Sequence, residues 1–170
     1  MATKLDKRTE TNPEKLAAIK TAEIKEIKQF FEGLEAVEAV YEDDVQGKAH
    51  GCHMFTVDKF LADGNFDKCK GRVVLHGNEQ DPDMYPDRSS PTVAVHSIFA
   101  CLTAAAYHGI REVAKIDVKG AFIQTPMEGP PVYMRCNKDL TRLIVEVYPN
   151  LQKFVSKHGF LYCRLLKALY

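Results

Sequence analysis

Leu16, Ile19, Ile24, Ile27, Phe30 and Leu34 recur at the spacing of one helix face. Lys20, Glu23, Lys25, Glu26 and Lys28 fill the positions between them, a solvated face. Asn12-Pro13-Glu14 opens this helix well: Asn caps, Pro suits the first turn, and Glu favours the positive end of the dipole. The pattern runs to about Gly33. It changes to alternation over 54–61 and again over 68–76, with Ala62-Asp63-Gly64-Asn65 between as a turn. Alternation puts Lys68, Lys70 and Arg72 on one face of the return strand and Cys69, Val73 and Leu75 on the other. A second helix is predicted over 91–108 from Val95, Ile98, Phe99, Leu102 and Ala106, with Gly109 ending it. Short strands are expected at 112–117, 132–135 and 159–166, and residues 140–158 fit neither period. Residues 1–11 are polar and charged, a disordered lead, and 42–51 and 77–91 are polar connections. Helices interspersed with antiparallel strands make this an α+β chain rather than a doubly wound sheet. No glycine-rich phosphate loop follows any strand.

Composition narrows the picture. The chain has 170 residues, 45% apolar and 27% charged, enough to bury a core. Lys+Arg and Asp+Glu both number 23, so net charge does not advertise a nucleic acid; binding one requires a local basic patch. The five cysteines are scattered, without a Cys-x-x-Cys pair, which argues against a disulfide framework or zinc ribbon and suits a reducing compartment. Gly51-Cys52-His53, near His50, lacks a second ligand pair and reads as a strand start with a buried cysteine. No signal-peptide core and no membrane-length apolar run is visible, so an intracellular, cytoplasmic protein with no membrane partner is expected.

Two features carry chemistry. Lys68, Lys70 and Arg72 at alternate positions can grip phosphates, and Arg can also stack on a base. The competing reading is a solvated edge strand blunted by lysines. Asp117 ends an apolar strand, a place where a carboxylate holds a hard cation such as Mg²⁺. One Asp at a strand end is also an ordinary turn residue, and no second carboxylate is marked beside it.

Together these residues resemble a family. Gly51-Cys52-His53, Val57-Asp58-Lys59, Ala62-Asp63-Gly64, Lys70-Gly71-Arg72-Val73-Val74 and Gly77-Asn78-Glu79-Gln80 resemble the fingers of copia-type retrotransposon reverse transcriptases. Ile116-Asp117-Val118-Lys119-Gly120-Ala121-Phe122 resembles that family's first catalytic motif. Val132-Tyr133-Met134 and the run from Leu161-Tyr162-Cys163-Arg164 to Leu169-Tyr170 resemble later segments, in the right order. The resemblance covers 48–170 and implies fingers over about 48–91 and the start of a palm over about 92–170, after a helix and linker at 12–47.

It also implies roles in an RNA-directed DNA polymerase, a nucleotidyltransferase of a transposable element. Asp117 would be a catalytic, metal-binding aspartate, and the Val118 carbonyl would help hold the second of two Mg²⁺ ions. Those ions would activate the primer hydroxyl and steady the leaving pyrophosphate. Phe122 would lie under the sugar and select deoxynucleotides. Arg72 would cover the incoming base and triphosphate, Lys70 or Lys59 would neutralise phosphate charge, and Lys68 would help hold nucleic acid. The implied partners are an RNA or DNA template-primer and deoxynucleoside triphosphates. The chain departs from the family at His53-Met54, at His76, where a cation is usual, and at Gly120. The family continues after Leu-Tyr into a Tyr-Val-Asp-Asp turn, whereas Tyr170 is the last residue here. A fragment without polymerase activity of its own is therefore expected; the alternative is a non-catalytic nucleic-acid-binding remnant of a transposon polyprotein.

Overall fold

A computed structural model describes residues 2–4, 10–79, 93–110, 112–114 and 124–169. The chain divides into two compact units, residues 1–80 with 120–170, and residues 81–119.

The first helix, α1 (Pro13–Lys28), begins where the capping chemistry places it. The Asn12 side chain accepts the backbone N–H of Glu14 at 2.9 Å, and Pro13 occupies the first turn. The helix widens into a π turn, Gln29–Gly33, in which Leu34 N–H donates to the Gln29 carbonyl at 3.0 Å. Ile19, Ile27 and Phe30 are buried as the periodicity requires. Glu23 and Glu26 are buried with them, at 3% and 7% exposure, which corrects their assignment to the solvated face. The reason lies in the sheet that α1 covers, which presents polar partners to both carboxylates.

That sheet has six strands in the order β1-β3-β5-β6-β2, with β4 on the remaining edge of β3. They are β1 (Ala2–Lys4), β2 (Val37–Val40), β3 (Ala49–Phe60), β4 (Phe66–Leu75), β5 (Tyr133–Cys136) and β6 (Leu161–Leu165). The β3–β4 hairpin matches the alternation pattern, with Cys52 opposite Leu75 and Lys59 opposite Lys68. Its turn uses Gly64 at φ 85°, and Asp63 accepts the Asn65 N–H at 3.0 Å. Three strand expectations change. The β3–β5 pair is parallel, Ala49 beside Tyr133, so the sheet is mixed rather than antiparallel. β5 takes the edge of β3 only from Ala49 to Cys52; farther along that edge Ala2–Lys4 pair with Lys59, Asp58 and Val57, which corrects the expectation of a disordered lead there. Unpaired backbone groups on β3 account for this pairing, and no side-chain pattern announces it. β2 was not anticipated, because its four residues follow the helical run too closely to show a period of their own.

The ambiguous stretch after residue 140 resolves into α2's successor. In chain order α2 (Val95–Tyr107) belongs to the second unit and α3 (Lys138–Val147) to the first. α3 is capped by Asn137, which accepts the Leu140 N–H at 2.9 Å. Leu140, Thr141 and Ile144 are its buried face. α1 and α3 meet on one face of the sheet, joined by Lys20–Glu146 at 2.5 Å and by the Phe31 and Tyr148 rings at 5.4 Å. Under them Cys52, Met134, Cys136, Leu161, Cys163 and Leu165 form the core. All five cysteines are free, and the contact with Cys136, together with burial, pushes the Cys52 thiol up.

In the second unit α2 starts at Val95, later than the expected 91, and residues 90–92 lie outside the described residues. Gly109 follows it at φ 66°. Val95, Ile98, Phe99 and Leu102, the stripe expected to pack, are exposed. The strand expected at 112–117 is not formed at 112–114, and 115–117 lie outside the described residues.

One hydroxyl ties α3 to two strands. Thr141 Oγ1 accepts the Leu161 N–H at 3.1 Å and donates to the Cys136 carbonyl at 3.3 Å, both in buried surroundings. Thr141→Val keeps the shape and leaves the Leu161 N–H without an acceptor. The expected loss is about 2 kcal/mol, or roughly 4–8 °C in Tm. A thermal melt indistinguishable from the wild type would contradict this role.

Candidate nucleic-acid interface

The face of the hairpin turned away from the core collects the cations. Register pairs Phe55 with Arg72, Val57 with Lys70, and Lys59 with Lys68 across β3 and β4. Two lysines directly opposite one another are destabilising on their own, and an anion between them would remove the repulsion. Lys68 is exposed and has Asp67 beside it at 3.2 Å; Lys59, Lys70 and Arg72 are half-buried. Lys70 is shifted below the ordinary lysine range first by burial, then by the charges of Arg72 and Lys59, with Glu26 acting the other way. The structure thus brings Lys59, Lys68, Lys70 and Arg72 onto one surface.

Aromatic rings run alongside. Phe55 stands 6.0 Å from the His53 ring, which in turn stands 5.1 Å from the His76 ring. Cations beside flat rings suit a polyanion whose bases stack, because phosphates pair and bases find a π face. Along the same face β5 and β6 add exposed Arg135 and Arg164, but Glu38 and Glu42 sit among them. Cationic density is therefore concentrated on the hairpin.

In sequence His76 stands out only as a missing cation. The structure gives it partners: its Nε2 lies 3.0 Å from His53 Nδ1, and its Nδ1 lies 3.3 Å from a Glu79 oxygen. The other Glu79 oxygen accepts the Gly51 N–H at 3.2 Å. That N–H and His76 hold the Glu79 carboxyl below its ordinary range. The chain His53–His76–Glu79 fixes the end of the hairpin. Spacing gave no signal for it except that His76 and Glu79 lie three residues apart.

Asp117, Val118 and Phe122 lie outside the described residues, so the geometry around a Mg²⁺ ion there is not described. Among the described residues no group of three or more His, Cys, Asp or Glu is placed to hold a metal ion. Cys52 is buried within β3. Among the described residues no helix is long and apolar enough to cross a membrane. Comparisons with family models, with curated proteins and with solved structures found no match to this chain.

Proposed function

We propose that the chain is the fingers and early palm portion of a copia-type reverse transcriptase, and that the hairpin face holds template-primer and nucleotide phosphates. The observation that supports this most is the gathering of Lys59, Lys68, Lys70 and Arg72 on one sheet face beside Phe55, in the segment whose motifs resemble that family's fingers. In this reading Asp117 and the Val118 carbonyl are the residues toward Mg²⁺, which in the polymerase would polarise the phosphates in transfer, and Phe122 lies under the deoxyribose. The hairpin's part needs no metal: its cations neutralise the polyanion and its rings offer a stacking surface.

The test is binding of an RNA–DNA hybrid by the whole chain, followed by fluorescence anisotropy over a salt series. Three to four phosphate contacts predict a log–log slope of roughly −3. A flat salt response, or no binding at low salt, would remove the proposal. Asp117→Asn separates the polymerase reading from a plain nucleic-acid-binding remnant. The former expects Mg²⁺-dependent deoxynucleotide binding that the variant loses while hybrid binding persists. The latter expects no such nucleotide binding in either protein.

A further inference from the structure

His76 stands where the chain leaves β4, and its ring lies against the β3 backbone. Its N–H donates to the Gly51 carbonyl at 2.8 Å. A Cβ built on Gly51 would fall 2.6 Å from His76 Nδ1 and 3.0 Å from its Cε1, so any side chain at 51 would displace the imidazole. Glu79, three residues on, holds the same ring: one of its oxygens lies 3.3 Å from Nδ1, and the other accepts the Gly51 N–H at 3.2 Å. With Nδ1 taken by the carboxylate, Nε2 points at His53 Nδ1, 3.0 Å away. An ionised carboxylate only accepts. In the neutral pair, therefore, His76 carries its proton on Nδ1 and its lone pair on Nε2, and His53 donates from Nδ1.

We propose that His53 Nδ1 and His76 Nε2 form a cross-strand site for a borderline divalent transition ion such as Zn²⁺, with Glu79 as the outer carboxylate that orients His76. Two Zn–N bonds of about 2.05 Å at the tetrahedral angle place their nitrogens about 3.3 Å apart. The 3.0 Å between these nitrogens has to open by only about 0.3 Å to admit the ion. A carboxylate on the far nitrogen of a ligating imidazole fixes the tautomer and raises the basicity of the nitrogen that binds. Imidazole suits Zn²⁺, Ni²⁺ or Cu²⁺, whereas Mg²⁺ seeks oxygen. Two protein nitrogens make a smaller set than a three-ligand centre, and water fills the remaining positions.

Binding the ion releases no net proton from the neutral pair. His53 exchanges its Nδ1 proton for one on Nε2 through solvent, and its Nδ1 lone pair then faces the ion beside that of His76. The His76 side chain is 41% exposed, which gives water and the ion access. Cys52 takes no part: it is buried in the core, and His53, next to it on β3, faces the other way. The two ligands are 23 positions apart and meet only through the hairpin register, so no short spacing announces them. The site stands independently of the nucleic-acid reading, since it uses none of the hairpin cations. A bound ion would tie β3 to the segment that follows β4.

Diethyl pyrocarbonate modification of the whole chain, read residue by residue by mass spectrometry across a Zn²⁺ series, tests this. Zn²⁺ is expected to slow the modification of His53 and His76 together by about tenfold, with a shared midpoint on the order of 10 µM. His96, His108 and His158, all exposed, should react as they do without the ion. In His53→Asn, Zn²⁺ should no longer protect His76, although Gly51 and Glu79 still hold its ring. Glu79→Gln keeps both ligands and should raise the midpoint about tenfold. Gly51→Ala should raise it as well, by pushing the ring aside. Absence of protection at His53 and His76 overturns the site, and so does protection of His76 that survives His53→Asn. Equal slowing of every histidine means an adventitious ion only and overturns it too. If His53→Asn does not fold, Glu79→Gln carries the test, and an unchanged midpoint there overturns the proposal.

Discussion

Replacing Lys70 and Arg72 together by alanine is expected to weaken hybrid binding about 100-fold at 0.1 M salt and to make the log–log salt slope shallower by about 2. The magnitude comes from two charge-assisted phosphate contacts, each worth roughly 1.5 kcal/mol at a partly exposed site. Both side chains stand on the outward face opposite Val57 and Phe55, so their removal opens no hole in the core under α1 and α3. The fold should therefore survive, although Glu26 loses the charges that favour its ionised form. Lys25→Ala, on the exposed side of α1, is the control and should leave the slope unchanged. Equal loss of binding in the control and the double variant would mean that net charge, rather than the hairpin face, holds the polyanion. Unchanged binding in the double variant would remove the face altogether.

Gly71→Val is expected to cost about 3 kcal/mol and to lower Tm by roughly 6–12 °C. Two of the three atoms that an added Cβ would crowd belong to the α1 backbone, the Ala22 carbonyl oxygen and the Glu23 Cα. Backbone cannot rotate aside as a long side chain can, so the helix must lift from β4. That movement would strip Glu23 from the Thr56 hydroxyl as well. Gly64→Ala makes a useful contrast. Its φ of 85° is strained for any side chain, but no atom lies in the way, and the expected cost is only about 1 kcal/mol. A melting curve for Gly71→Val no lower than that of Gly64→Ala would show that the close approach is not a tight one.

The sequence was readable wherever a local pattern decided the outcome. Asn12-Pro13 fixed the start of α1, and Asp63-Gly64 fixed the hairpin turn. Period-two alternation assigned Lys68, Lys70 and Arg72 to a single face, and the register agrees. Elsewhere the outcome depended on elements far apart in the chain. The burial of Glu23 and Glu26 follows from Gly71 and Thr56, which lie on strands formed much later in the sequence. By composition alone each is an ordinary surface glutamate. The pairing of Ala2–Lys4 follows from an edge of β3 that β5 leaves open, and three residues carry too little pattern to show it. The parallel β3–β5 pair was missed because a four-residue strand at Tyr133–Cys136 looks the same in either orientation. His53, His76 and Glu79 meet through the hairpin register and the turn after it, which converts two departures from the family pattern into one hydrogen-bonded chain.

The mixed pairing of β3 also sets an order of assembly. One edge of β3 meets β4 across a turn of a few residues, and the other meets β5 only after Ala49 and Tyr133 have been brought together. Closing a loop of about 80 residues rather than about 5 carries an extra entropic cost of roughly 2.5 kcal/mol. The hairpin can repay its short closure with local contacts at once, whereas β5 must wait for a partner that is already ordered. The cation-bearing hairpin is accordingly expected to form first, and hydrogen-exchange pulse labelling during refolding that protected the β5 amides before those of the hairpin would reverse that order.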